Sequence, residues 1–120
     1  MGVVHKTLIA EAGGEGNEGM HAVANVIRNR AAKRGLTVEQ VCLQRLQFSA
    51  WNKGAGPVDR MVRRERAIWD DALTAWQASA TEDITGSADH YYASYIRRPS
   101  WAKKMRHTVT IGKHQFYRAY

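Results

Sequence analysis

The sequence predicts an α+β fold, mainly helical, closed near the C-terminus by a small antiparallel β-hairpin. Three observations carry this. Apolar residues recur at three- to four-residue spacing through most of the chain up to Trp76, the period of buried helical faces. Two β-prone runs at the end are separated by Gly112-Lys113 alone, which signals a type II′ hairpin. Helices come first and antiparallel strands last, an order that separates α+β folds from alternating parallel ones.

Each element has its own signal. Residues 3–12 read as a short helix ending at Gly13-Gly14. Asn17 suits the N-cap of a second helix and Glu18 its first turn. That helix runs through Met20, Val23, Ala24, Val26, Ile27 and Ala31 to a stop at Gly35, with Arg28, Arg30, Lys33 and Arg34 at its favourable end for positive charge. Thr37-Val38-Glu39-Gln40 matches a capping box and opens a short third helix through Val41, Cys42 and Leu43. Residues 47–57 form a loop. Pro57 fits the first turn of a fourth and longest helix, with Val58, Met61, Val62, Ile68, Trp69, Ala72, Leu73 and Trp76 on one stripe. Residues 79–89 are a loop, residues 90–95 an aromatic strand, and one helical turn follows Pro99. The hairpin pairs residues 107–111 with 114–117. With no internal repeats, 120 residues make one domain, 1–120, large enough for one core.

Composition narrows the function. Apolar content of 44% and charged content of 24% are ordinary for a globular protein, but the net charge of +7 is not. It suggests a polyanionic partner, whether nucleic acid, an anionic membrane surface or envelope polymers. The single Cys42 allows no intramolecular disulfide, and no Cys/His group has zinc spacing, so neither a metal nor a cofactor is expected. The N-terminus lacks the pattern of a signal peptide and no run reaches membrane-spanning length. A chain made in the cytoplasm, monomeric, without membrane insertion, is the expectation.

The chemistry centres on Glu11. It interrupts an apolar run, Leu8-Ile9-Ala10-Glu11-Ala12, in the last turn before the glycines. The negative end of the helix dipole and burial against Leu8 and Ile9 favour a carboxyl that keeps its proton, as a general acid requires. An exposed helical Glu beside a glycine cap is the competing account. Other catalytic patterns are poor. There is no Gly-x-Ser-x-Gly elbow and no phosphate-binding loop, and Cys42 lies on an apolar helical face as inert core. Residues 21–46 can be read as a helix-turn-helix, but Glu39 stands where phosphate and base contacts would begin, so no specific nucleic acid is expected. Aromatic and hydrogen-bonding residues, among them Gln47, Ser49, Trp51, Tyr91, Tyr92 and Trp101, suit a sugar.

Four blocks in order resemble the cell-wall hydrolases of the spore-cortex-lytic (SleB-like) type. Ile9-Ala10-Glu11-Ala12-Gly13-Gly14-Glu15 is similar to that family's (I/Y)-x-E-A-R-G-E. Glu18 through Arg30 is similar to its E-G-x-x-A-V-A-x-V-(V/I)-x-N-R. Gln47-Phe48-Ser49 resembles its Q-F-S. His90-Tyr91-Tyr92, Trp101-Ala102 and Ile111-Gly112-Lys113-His114-Gln115-Phe116-Tyr117 resemble its aromatic strand, its W-A and its I-G-x-H-x-F-Y close. Gly13 departs from the family's Arg. The resemblance implies a lysozyme-like fold that cleaves the β-1,4 bond between N-acetylmuramic acid and N-acetylglucosamine. The expected reaction is that of a lytic transglycosylase, with Glu11 as the single acid/base and 1,6-anhydro-muramic ends as product. The alternatives are a hydrolytic muramidase using a second carboxylate (Glu15, Glu18 or Asp89) and a non-catalytic basic module. Glu15 is expected to support the site, and Gln47, Phe48, Ser49, Tyr91 and Tyr92 to contact substrate. His114 could line the cleft or pack, with packing preferred. The partner is peptidoglycan glycan strands, with anionic envelope polymers in addition. Without a leader or a wall-binding repeat, the chain resembles phage or prophage endolysins, which reach the wall through a separate pore.

Overall fold

The computed structural model describes residues 2–44, 55–64 and 68–120. Among the described residues, five helices precede a three-stranded sheet: α1 (Val3–Ala12), α2 (Gly16–Arg34), α3 (Val38–Leu43), α4 (Ala55–Arg64), α5 (Trp69–Ser79), β1 (His90–Ala93), β2 (Arg106–Ile111) and β3 (His114–Arg118). One 3₁₀ turn, Gly13–Glu15, joins α1 to α2, and another, Ser100–Lys104, precedes β2.

The centre of the molecule is α2. Met20, Ala22, Val23, Ala24, Val26 and Ile27 are all fully buried, so the helix is apolar around most of its girth rather than along one stripe. On one side it meets α1, α3 and α5 through Leu8, Ile9, Val41 and Ala72. On the other it meets the sheet through Ala22, Val26, Ile111 and Phe116. A helix so enclosed must satisfy its polar side chains internally. Asn25 donates to the Glu82 carbonyl at 2.9 Å and accepts from the Ile84 N–H at 3.0 Å, tying the 79–84 segment to the helix. Arg28 donates to Ser79 Oγ and the Trp76 carbonyl and lies 3.7 Å over the Trp76 ring. Arg28 and the buried Arg30 thus turn inward, beyond the role of solvated charges at a helix end.

Several expectations need adjustment. The second helix begins at Gly16, so Asn17 lies inside its first turn and is not the cap. Gly13–Glu15 wind into a 3₁₀ turn that carries the chain directly from α1 into α2. The stripe after Pro57 belongs to two helices, α4 and α5, and among the described residues the longest helix is α2 with 19 residues. Both shorter helices pack against α1, so one apolar periodicity serves two separate docking surfaces. The α3 capping box is present: Thr37 Oγ1 accepts from the Gln40 N–H at 3.0 Å and Gln40 Oε1 from the Thr37 N–H at 2.9 Å. Gly35 closes α2 with φ of 65°.

The hairpin is part of a three-stranded antiparallel sheet in the order β1-β3-β2. Positive φ at Gly112 and not at Lys113 is the type II′ pattern. The register pairs Tyr91 with Phe116, Tyr92 with Gln115, and Val109 with Phe116. A bulge between His107 and Val109 inserts Thr108, whose hydroxyl donates to the Phe116 carbonyl at 3.2 Å. Because strand side chains alternate, Tyr91, His114, Phe116 and Val109 face the helices, and Tyr92, Gln115, Tyr117 and His107 face away.

Candidate active site

Glu11 occupies the last turn of α1, with Leu8, Ile9 and Ala12 around it buried. A cleft of about 390 Å³ opens here. Glu11, Gly13, Gly14 and Glu15 line it together with Met61 of α4, Tyr95, Lys113 and His114. Gly13 has an ordinary helical φ of −56°, so its backbone does not demand glycine. Space does: a Cβ there would come within 2.5 Å of Ile68 Cδ1. The Arg of the family pattern could enter only if that flexible side-chain end moved.

Tyr91 reaches Glu11 from β1. Its hydroxyl donates to Glu11 Oε1 at 2.5 Å, across 80 residues of sequence. Burial, then the charge of Glu11 and this hydrogen bond, push the Tyr91 hydroxyl well above its ordinary pKa, so it stays a neutral donor. The ring is held by Phe116 at 5.6 Å and by the His114 ring, edge-on at 5.0 Å. His114 is 7% exposed yet borders the cleft, so lining and packing are the same position here. Burial lowers its pKa, against an opposing pull from Glu15. Arg30 adds a buried positive charge felt by Tyr91, Asp89 and Glu11, and its Nε donates to the Asp89 carbonyl at 2.6 Å.

Glu15 borders the same cleft but faces the hairpin turn. Its two oxygens accept from the Lys113 N–H at 3.3 and 3.4 Å. Gly112 lies against that carboxylate so closely that a Cβ would collide with Oε2, and a Cβ on Gly19 would collide with Glu15 Cβ. Two glycines therefore make room for one glutamate, which ties the 3₁₀ turn after α1 to the β2–β3 turn.

The other expected residues are dispersed. Tyr92 lies on the far face of the sheet, stacked on Tyr117 at 5.7 Å. Asp89 borders a different pocket. It pairs with Lys33 at 2.6 Å and with His90 at 3.0 Å. Burial raises the Asp89 carboxyl, but the bonds from His90 and Lys33 outweigh it and hold it below its ordinary value. Glu18 lies beside His21 and Glu82 on a third surface. Gln47, Phe48 and Ser49 fall outside the described residues. Cys42 is buried in the helical core and its thiol is pushed up to about 11, chiefly by burial.

Three cleft residues were not expected from the sequence: Met61, Tyr95 and Lys113. Tyr95 is 79% exposed, so it is no core residue and offers an open ring face at the cleft rim. The sequence placed it at the end of the aromatic strand 90–95, whereas β1 ends at Ala93 and leaves Tyr95 beyond the strand. The Arg30 charge was hidden among four basic residues of one helix.

No sequence among the curated proteins matches the chain. The solved catalytic domain of the Bacillus cereus SleB protein shares its fold, with a TM-score of 0.71 at 23% identity over 97% of this chain and 87% of that one. The solved catalytic domain of the germination-specific lytic transglycosylase SleB from Bacillus anthracis has a TM-score of 0.73 at 25% identity, covering 97% of this chain and 91% of that one. The profile of the family described as Cell Wall Hydrolase matches residues 14–117, beginning three residues after Glu11. Across that span the chain belongs to the cell wall hydrolase family, enzymes that act on peptidoglycan.

Proposed function

We propose that the chain, as one catalytic domain, is a lytic transglycosylase that cleaves the β-1,4 bond between N-acetylmuramic acid and N-acetylglucosamine, with Glu11 as its single acid/base. The observation that carries this is the Glu11 carboxyl in a cleft, oriented by the hydroxyl of the half-buried Tyr91. Glu11 protonates the glycosidic oxygen of the leaving sugar as C1 gains oxocarbenium character. The resulting carboxylate then takes the proton of the muramic acid C6 hydroxyl, whose oxygen closes on C1. Glycosidases that use water need a second carboxylate. Glu15 engages the Lys113 N–H and Asp89 is paired with Lys33 and His90, and both facts support the one-carboxyl reading. The Bacillus anthracis relative, which is called a lytic transglycosylase, supports it too. Tyr95 contributes a stacking face for a sugar ring, and Gln47, Phe48 and Ser49 remain proposed substrate contacts.

A muramidase reading has one observation in its favour: Glu15 borders the same cleft through long, weak hydrogen bonds. Mass analysis of muropeptides released from purified sacculi separates the two. Anhydro-muramic ends are expected, and reducing ends would make Glu15 the water-activating base. Release to the wall through a phage pore is part of the proposal. Expressed in the bacterial cytoplasm, the protein should lyse cells only when a pore-forming protein is co-expressed.

A further inference from the structure

The charge of the chain is not spread over it. Residues 1–89 carry eleven Lys and Arg against eleven Asp and Glu, while residues 90–120 carry seven Lys and Arg and no acid. The whole net charge of +7 therefore lies on the sheet segment. Among the described residues none of those seven forms an ion pair. Lys103 and Lys104 are exposed on the 3₁₀ turn that covers the sheet's outer face, and Arg98 is exposed just before it.

That outer face is aromatic. The Trp101 ring lies 5.5 Å from Tyr117 and 5.9 Å from Tyr92, both edge-on, and Tyr92 stacks on Tyr117. His90 meets Trp101 at 5.1 Å and His107 meets Tyr117 at 5.2 Å. Beside the rings, Thr110 Oγ1 donates to Gln115 Oε1 at 2.6 Å. Ring faces suit the apolar faces of sugars, hydroxyl and amide groups suit their hydroxyls, and cations not held in an ion pair suit carboxylates. Register sets this face opposite Tyr91 and His114, so a glycan lying on it is not the strand held in the cleft.

We infer that the outer face of the sheet is a second peptidoglycan-binding surface. It engages a neighbouring strand through the half-buried Trp101 and Tyr92 rings, which pack over the buried Tyr117, and that strand's stem-peptide carboxylates through Lys103, Lys104 and Arg98. The inference rests on peptidoglycan being the substrate, and its test reads binding rather than cutting.

The test uses the full chain carrying Glu11→Gln, co-sedimented with sacculi stripped of phosphate polymers. Adding K103Q/K104Q should weaken binding about fivefold, two exposed ionic contacts' worth, and flatten its salt dependence. Removing two charges elsewhere, R34Q/R63Q, should leave binding within twofold. Amidating the sacculus carboxylates should bring the parent down to the K103Q/K104Q level. With Glu11 intact, K103Q/K104Q should cleave a short soluble glycan at the parental rate. Equal losses for the two pairs would overturn the surface in favour of net charge alone. Binding that vanishes on removing the phosphate polymers, or survives amidation, would overturn the proposed ligand. If Glu11→Gln sacculi still dissolve, the catalytic reading fails, and the binding comparison is then read on a substrate the protein cannot cut.

Discussion

Tyr91 and Tyr92 are neighbours in β1 and end on opposite faces of the sheet. Tyr91 is enclosed between the sheet and the helices, where a hydroxyl must find a partner, and its partner is Glu11. Tyr92 stacks on Tyr117 beside Trp101, at the edge of a basic surface. The difference arises from register alone, since the period of a strand is two residues and a slip of one would exchange their places. The Glu11 partner and the stacked aromatic cluster are thus divided between faces of one small sheet, with the Gly112-Lys113 turn at its end.

The largest expected difference follows from that division. Tyr91→Phe removes a hydrogen bond to an ionisable group and should lower kcat about ten- to a hundredfold with little change in KM. Tyr92→Phe keeps the stacked ring and should stay within about twofold of wild type. Clearance rates of a sacculus suspension across pH measure both, and the pH profile should change for Tyr91→Phe only. Equal effects would mean that the two faces are not functionally distinct.

The turn can be broken next. Gly112→Ala meets both a positive φ and the Glu15 carboxylate, whereas Gly35→Ala meets a positive φ with nothing within 4 Å. Urea unfolding should show about 1 kcal/mol lost at Gly35 and about 2–3 kcal/mol at Gly112. In a Glu15→Ala background the two costs should become similar, because the colliding atoms are gone. A Gly112→Ala cost unchanged by Glu15→Ala would remove Glu15 from its role at the turn.

The smallest expected effect is on pH dependence. His5, whose buried ring nitrogens have no hydrogen-bond partner among the described residues, and His114 both have pKa values lowered below 6.5, chiefly by burial. The unfolded chain therefore takes up protons that the folded one refuses. Stability should be complete above pH 6.5 and decline as pH falls below it. The lowered carboxyls of Asp83 and Asp89 act only further down, near and below 3.8. Replacing His114 by Phe should flatten the decline between pH 6.5 and 5, measured by urea midpoints. An unchanged slope would assign the effect to other groups.

Much of this fold is written locally. The Thr37 capping box, the Gly35 stop and the Gly112-Lys113 turn each depend on a few adjacent residues, and each forms as its sequence predicts. The break between α4 and α5 was not legible, because a stripe of apolar residues keeps its period when one helix becomes two. Within the site, Glu11 stood out as an acid in an apolar run. Its partner Tyr91 could be named but not separated from Tyr92, since strand facing depends on pairing with β3, 20-odd residues further along. Arg30 and Tyr95 were less legible still: burial of the one and exposure of the other are tertiary properties.

The central claim is that Glu11 performs the chemistry and the rest of the molecule delivers it. Glu11→Gln preserves size and hydrogen bonding while removing the proton donor. Its clearance of a sacculus suspension, followed with the amount of protein sedimenting with the sacculi, addresses the claim directly. Clearance should fall by about 10²–10⁴ while sedimentation stays at the parental level. Clearance at the parental rate would contradict Glu11 as the acid/base.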